Sequence, residues 1–238
     1  MMLAFERDPS PHRWYHIRKL PLNPGIRTLD QYEEAVMLGI LDAVAYLRRI
    51  QTLRALTVSD VQQGHYQMFK DVHPWAGQFR SRGKLATVAG FPAAESPRIA
   101  RELELALFQT RELLEIAVSK HDSRQMVAAL AFFHIRFERA HPFLNGNGRS
   151  GRAILAMQFE KTFGTSPRFT DQPGYRDAMR ASARRDLAPL MNYLGASVGA
   201  PNITTVWPAP FQISPRFLED TDASPTFEED LAWSRMVS

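Results

Sequence analysis

The fold and the chemistry of this chain are decided by one stretch, His141-Pro142-Phe143-Leu144-Asn145-Gly146-Asn147-Gly148-Arg149-Ser150-Gly151-Arg152. Gly146 and Gly148 let the backbone turn its N–H groups toward one point, and the positive end of a following helix points there too. The two arginines add guanidinium groups that bind phosphate oxygens in pairs. His141 stands at the edge of this region, where a neutral imidazole can accept a proton. The stretch therefore predicts an anion site with a base beside it.

A helix is predicted on each side of this loop. Residues 123–140 carry apolar side chains at helical spacing, Asp122 is their N-cap, and the proline after His141 disfavours a further helical residue. The second helix runs from Arg149 to Phe163 and ends at Gly164. A P-loop would follow a strand and carry a Lys-Ser/Thr pair, and this segment has neither. The chemistry therefore belongs to a helix–loop–helix unit.

Most of the remaining chain also has helical patterns. Thr28 opens a capping box before a long helix, Thr57 is a cap for the next, and Ser96-Pro97 suits the N-cap and first turn of a third. Only residues 78–92 favour extended structure, as a small hairpin with a strand at 84–89. The pattern indicates a mainly α fold with one small β-hairpin.

The chain divides into three predicted parts. Residues 1–27 are rich in proline and aromatic side chains and form an arm laid over the core. Residues 28–198 form the helical core, and residues 199–238 form an irregular Pro-rich tail with an acidic end.

Composition narrows the chemistry. The chain has no cysteine, which excludes a thiol nucleophile, a disulfide and thiolate zinc ligation. Its net charge of +4 favours anionic partners, but the arginines are spread along the chain, so nucleic acid is a minor hypothesis. No long apolar run or secretory signal is visible, and we expect a cytoplasmic protein that does not span a membrane. His134 has no third metal ligand at a suitable spacing, which favours a packed histidine.

The stretch resembles the signature of the Fic family, His-x-Phe-x-Asp/Glu-Gly-Asn-Gly-Arg-x-x-Arg, and matches it at every fixed position except Asn145. The likeness covers residues 30 to 198 and implies a Fic-fold helical bundle whose hairpin forms a flap. Other segments similar to the family are Pro74-Trp75-Ala76-Gly77-Gln78-Phe79-Arg80, Phe133-His134 with Arg136, Tyr175-Arg176-Asp177-Ala178 and Asp186-Leu187-Ala188-Pro189-Leu190.

The resemblance implies a protein adenylyltransferase that moves AMP from ATP to a Ser, Thr or Tyr hydroxyl of a target protein and releases pyrophosphate. His141 would take the proton of that hydroxyl. The hairpin would add the target segment as a further strand, although a plain surface ribbon is an equal alternative. The implied nucleotide-binding residues are Gly146, Asn147, Gly148, Arg149, Arg152 and Tyr175. The implied target-binding residues of the flap are Lys84, Leu85, Ala86, Thr87 and Val88.

Asn145 stands where the family carries a carboxylate that ligates Mg²⁺. A neutral amide oxygen is a poorer ligand for this ion, so either the metal dependence is shifted or catalysis is weak. The alternative is a non-catalytic or weakly active nucleotide-binding protein with a regulatory or interaction role, including the toxin partner of a small antitoxin.

The acidic tail offers a second point of regulation. Ser224-Pro225-Thr226-Phe227-Glu228 is similar to the family's inhibitory pattern, which would make Glu228 an inhibitory residue. A short helix capped by Ser224 is the favoured interpretation of the same residues.

Overall fold

A computed structural model describes residues 11–81, 87–88, 91–169, 172–183 and 186–196. This part of the chain is mainly helical, as predicted, and contains eight α-helices and one two-stranded antiparallel sheet. The helices are α1 Pro11–Ile17, α2 Leu29–Arg48, α3 Val58–Phe69, α4 Ile99–Ser119, α5 Ser123–Ala140, α6 Asn147–Phe163, α7 Gln172–Ala183 and α8 Ala188–Ala196. The strands are β1 Thr87–Val88 and β2 Phe91–Pro92.

Helix α5 is the centre of the bundle. It packs against α4, α6, α7 and α8, and buried residues lie on all of its sides, among them Leu130, Phe133 and Phe137. A helix buried all round must be enclosed by its neighbours. The burial is therefore wider than the single apolar stripe that the sequence predicts.

The apolar core has two parts. The first lies between α2, α3, the start of α4 and one side of α5, and includes Tyr32, Phe69 and Leu103. The second lies between the other side of α5, α6, α7 and α8, and includes Phe159 and Leu190. The ring of Phe143, from the loop after α5, is buried in the first part, so the loop is fixed to the core.

Local signals set most helix ends as predicted. Thr28 and Thr57 each form a complete capping box, and the Asp122 carboxylate accepts from the N–H groups of Arg124 and Gln125. Helix α6 begins at Asn147, two residues earlier than predicted, and ends at Gly164 in the left-handed conformation. The helix–loop–helix unit is thus confirmed.

The structure corrects the predicted start of α4 and adds one helix. Ser96 is not the N-cap of α4, because Ser96–Arg98 forms a separate 3₁₀ turn and α4 begins at Ile99 without a side-chain cap. The N-terminal arm contains helix α1, which the sequence analysis missed. Pro11 suits a first helical turn, and Ile17 at the other end is buried in the core.

The predicted hairpin is described only in part. Thr87 lies opposite Pro92 and Val88 opposite Phe91 in an antiparallel register. The flap residues Lys84, Leu85 and Ala86 lie outside the described residues, and so do the tail and Glu228. In the described ranges, every helix is too short or too polar to cross a membrane.

Candidate functional site

The loop between α5 and α6 begins at a conformationally unusual histidine. His141 has φ 42° and ψ 59°, and its N–H donates to the Phe137 oxygen at 3.1 Å. A non-glycine residue in this left-handed region is uncommon, so the surrounding contacts must hold it. Pro142 follows and excludes a continuation of α5.

Arg80 supplies those contacts. Its side chain is buried, Nε donates to the His141 oxygen at 2.7 Å, and Nη2 donates to the oxygens of Ala140, at 3.3 Å, and Ala94. The Arg80 N–H also donates to the Pro142 oxygen at 2.8 Å. This guanidinium therefore donates hydrogen bonds to carbonyl groups at the end of α5 that have no partner within the helix. In the sequence, Arg80 stands out only as the last residue of the segment from Pro74 to Arg80, and no local pattern predicts this role.

The His141 imidazole is uncharged at neutral pH. Its pKa is lowered to about 4, chiefly by burial and also by the nearby Arg80 charge, while the Glu138 carbonyl acts in the opposite direction. The ring can therefore accept a proton from a group that enters the site.

The middle of the loop is held by its own side chains. The Asn147 amide oxygen accepts from the Phe143 N–H and its amide nitrogen donates to the Phe143 oxygen, both at 2.8 Å. The Asn145 amide oxygen accepts from the Gly146 N–H at 2.7 Å. Asn147 and the Gly146 amide thus shape the loop here, and their contact with a nucleotide stays a prediction.

The start of α6 presents N–H groups without a side-chain cap. The first N–H groups of a helix have no partner within it, so those of Gly148 and Arg149 are available to an anion. Gly146 makes this geometry possible, because it has φ 82° and a Cβ at this position would overlap the Phe69 ring.

The two signature arginines lie one turn apart on α6. Arg149 has its guanidinium carbon 4.6 Å from the centre of the Phe69 ring, and its Nη2 donates to the Tyr32 hydroxyl at 3.3 Å. Its buried Nη1, which carries two N–H groups, has no hydrogen-bond partner in the described part of the chain. Arg152 has its guanidinium carbon 5.7 Å from the centre of the Tyr175 ring.

A buried polar cluster lies next to Arg152. Nε2 of His134 and the Tyr175 hydroxyl are 2.6 Å apart, and both side chains are buried. The pKa of Glu138 is raised to about 7, because burial outweighs the opposing effect of the Arg152 charge. His134 is therefore a packed histidine, as expected. Tyr175, the predicted nucleotide-binding residue, has its hydroxyl beside His134 and its ring beside Arg152, and its contact with a nucleotide stays a prediction.

The base of the flap is tied to the same end of α5. After β2 the Ala94 N–H donates to the Arg139 oxygen at 3.1 Å, and the Ala94 oxygen accepts from Arg80. The strand pair that contains Thr87 and Val88 is thus connected to the segment that carries His141.

The described residues do not form a magnesium site by themselves. Asn145 offers one neutral oxygen, which already accepts from the Gly146 N–H. No group of three or more His, Cys, Asp or Glu side chains within the described ranges could hold a metal ion. Mg²⁺ prefers charged oxygens, so the residues present do not fit a protein-held Mg²⁺.

These features define a class of helical protein with a candidate anion site at a helix N-terminus and a neutral histidine in the preceding loop. Residues 55–159 match the model of the Fic/DOC family. This stretch is similar to the family, and the described helices have the fold of solved Fic-domain structures.

Relatives and solved structures agree with this assignment. The protein adenylyltransferase Fic of Nematostella vectensis is 25% identical over 177 residues, which span 72% of this chain and 39% of that protein. The Bartonella tribocorum BepC structure with bound AMPPNP has a TM-score of 0.54 and 19% identity, and covers 75% of this chain and 91% of that chain. The N-terminal Fic domain of a putative cell filamentation protein from Bartonella quintana, with bound ADP, has a TM-score of 0.57 and 20% identity, with coverages of 75% and 89%.

Proposed function

We propose that this chain binds ATP at the loop between α5 and α6 and transfers AMP to a hydroxyl group of a target protein. The observation that carries the proposal is the neutral His141 imidazole in the loop that leads to the uncapped start of α6, with the His141 backbone held by Arg80. The name of the Nematostella relative and the nucleotides bound to the two Bartonella proteins support it.

The proposed reaction is an in-line displacement at the α-phosphorus. The target's Ser, Thr or Tyr oxygen forms a bond to this phosphorus, the bond to the bridging oxygen breaks, and pyrophosphate leaves with the electron pair. His141 takes the proton of the hydroxyl. The N–H groups of Gly148 and Arg149 stabilise the negative charge that develops, and the guanidinium groups of Arg149 and Arg152 bind the β- and γ-phosphates.

The target is proposed to lie along the flap. A segment of the target protein would pair with the β1 edge, and its hydroxyl would then reach His141, because the flap base is tied to the end of α5 through Ala94.

A second candidate function is nucleotide binding without efficient transfer. Asn145 favours it, because a neutral amide replaces the carboxylate expected at this position. In that case the chain would act through a partner, and a small antitoxin is one such partner.

ATP labelled at either the α- or the γ-phosphate separates these functions when it is offered with a cell lysate. Label in protein from α-labelled ATP alone is the expected result. Label from γ-labelled ATP alone would indicate phosphoryl transfer and contradict the proposal. Binding of ATP without either label in protein would favour the second candidate.

A further inference from the structure

A buried histidine joins the two segments that shape the site. His65 lies on α3 with its side chain buried, and its ring stacks on that of Phe143 with the ring centres 3.7 Å apart. The Gly77 N–H donates to Nδ1 at 2.9 Å, and Nε2 lies 3.0 Å from the backbone oxygen of Asn145. One imidazole therefore contacts both the segment that leads to Arg80 and the loop that follows His141.

These two contacts fix the tautomer of His65. A ring nitrogen that accepts from an N–H group carries no proton, so the proton lies on Nε2, which donates to the Asn145 oxygen. The pKa of His65 is lowered to about 3, chiefly by burial and also by the Arg149 charge, while the Asn145 carbonyl acts in the opposite direction. The ring is therefore neutral at pH 7, with one acceptor and one donor, both in use.

The Gly77 amide is itself held in place. Gly77 has φ 77°, a conformation that favours glycine, and a Cβ there would lie 2.9 Å from the Tyr66 Cβ. Its carbonyl oxygen accepts from the Gln62 side chain at 3.1 Å. Because Gln62 and Tyr66 both lie on α3, this helix fixes the direction of the N–H group that selects the His65 tautomer.

We propose that His65 is a positioning residue of the nucleotide site. Its Nε2–H holds the Asn145 carbonyl, and thereby the turn from which the first N–H groups of α6 point toward a phosphate. Other hydrogen bonds of this turn, at Asn145 and Asn147, are internal to the loop, so the His65 bond ties it to α3. The identity of the ligand rests on the proposed function. The hydrogen bond from His65 to Asn145 does not depend on that function.

The first test measures the tautomer. Nitrogen NMR of the full chain should show His65 with a protonated Nε2 and an unprotonated Nδ1, without change between about pH 8 and about pH 5.5. A protonated Nδ1, or titration within this range, would overturn the inference.

The second test compares three variants. His65→Phe keeps a ring that can stack on Phe143 and removes both hydrogen bonds, whereas His65→Gln keeps a donor near the position of Nε2. The matched control Tyr46→Phe removes a 2.7 Å hydrogen bond from Tyr46 to Asp60, which joins α2 to α3 away from the loop. Calorimetry with AMPPNP should show at least about a tenfold weaker affinity in His65→Phe, within about threefold of the parent in His65→Gln, and no change in Tyr46→Phe. Parent-like binding by folded His65→Phe contradicts the inference, and so does equal weakening in both His65 variants.

Amide exchange separates the failure of this inference from that of the proposed function. The N–H groups of Phe143 and Gly146 should exchange at least about tenfold faster in His65→Phe than in Tyr46→Phe. A parent protein that does not bind AMPPNP would refute the proposed function. The amide exchange rates would then still test the role of His65. Equal rates in His65→Phe and Tyr46→Phe would overturn that role. If His65→Phe does not fold, the exchange rates of His65→Gln are the test. We expect rates like those of the parent, and faster exchange would contradict the inference.

Discussion

Single residues of the signature loop divide into those whose polar groups hold its shape and those whose N–H donors have no partner in the described part of the chain. The Asn147 amide and the Gly146 N–H are occupied by the loop itself, while the N–H groups at the start of α6 and Nη1 of Arg149 have donors to offer. The sequence motif treats all of these as ligand-binding residues. The difference is visible only in three dimensions, because an asparagine side chain can bind either its own loop or a phosphate.

Gly146 lies in the loop and Gly164 follows the end of α6. Comparing the two measures how much stability a side chain at Gly146 would cost. Both are left-handed, with φ 82° and 70°, but only at Gly146 would a Cβ overlap a neighbour, the Phe69 ring. We expect Gly164→Ala to lower the free energy of unfolding by about 1 kcal/mol and Gly146→Ala to lower it by roughly 3 kcal/mol. Urea denaturation measures both, and equal losses would show that the Phe69 contact is unimportant.

Asn145→Asp tests whether this position faces a metal that arrives with the nucleotide. A carboxylate should raise AMP transfer at low Mg²⁺, and the advantage over the parent should shrink as Mg²⁺ rises. A magnesium titration of the transfer rate of both proteins is the measurement. An aspartate variant that is slower at every concentration would assign Asn145 to loop shape alone.

At the scale of helices and segments, the site depends on how the end of α5 is held. Arg80 replaces the intrahelical bonds that Ala140 and His141 lack and joins three parts of the chain. Loss of this buried guanidinium would leave several carbonyl groups without a partner, which costs much more than loss of an exposed ion pair.

The variants Arg80→Gln and Arg48→Gln compare the loss of a buried guanidinium with the loss of an exposed ion pair. Arg48 pairs with Glu160 at 2.7 Å, but half of its side chain is exposed. We expect the Arg80 variant to be destabilised by roughly 3 kcal/mol and the Arg48 variant by less than about 1 kcal/mol. Denaturation midpoints give both values. Similar midpoints for the two variants would mean that Arg80 does not hold the end of α5.

The same scale shows what the sequence could predict. The caps of α2, α3 and α5 depend on residues within one helical turn, so they were predicted at Thr28, Thr57 and Asp122. Arg80 bonds to a residue 61 positions away and His65 to one 80 positions away. No local pattern encodes such contacts. Two weaker signals point to these residues in the sequence. Arg80 ends a segment that is similar to the Fic family, and His65 lies on the apolar face of α3.

Across the whole molecule, buried histidines make stability depend on pH. Burial lowers the pKa of His65 and His134 to about 3 and of His73 and His141 to about 4, so below about pH 6.5 the unfolded chain takes up protons that the folded chain does not. The raised pKa of Glu138 acts in the opposite direction, since its contribution is lost as the pH rises from about 4.5 to about 7.

The histidines outnumber this single carboxyl, so the free energy of unfolding should fall as the pH is lowered from about 6.5 to about 5. Urea denaturation at several pH values measures this directly. A constant or rising free energy over that interval would contradict the buried neutral histidines.

The central claim is that His141 takes a proton during AMP transfer and does not hold the nucleotide. His141→Asn tests it, because asparagine tolerates the left-handed conformation that this position requires. With α-labelled ATP, the rate of label transfer to protein should fall by about a hundredfold or more, while AMPPNP affinity stays within about threefold of the parent. Parent-like transfer by a variant that still binds AMPPNP would contradict the account.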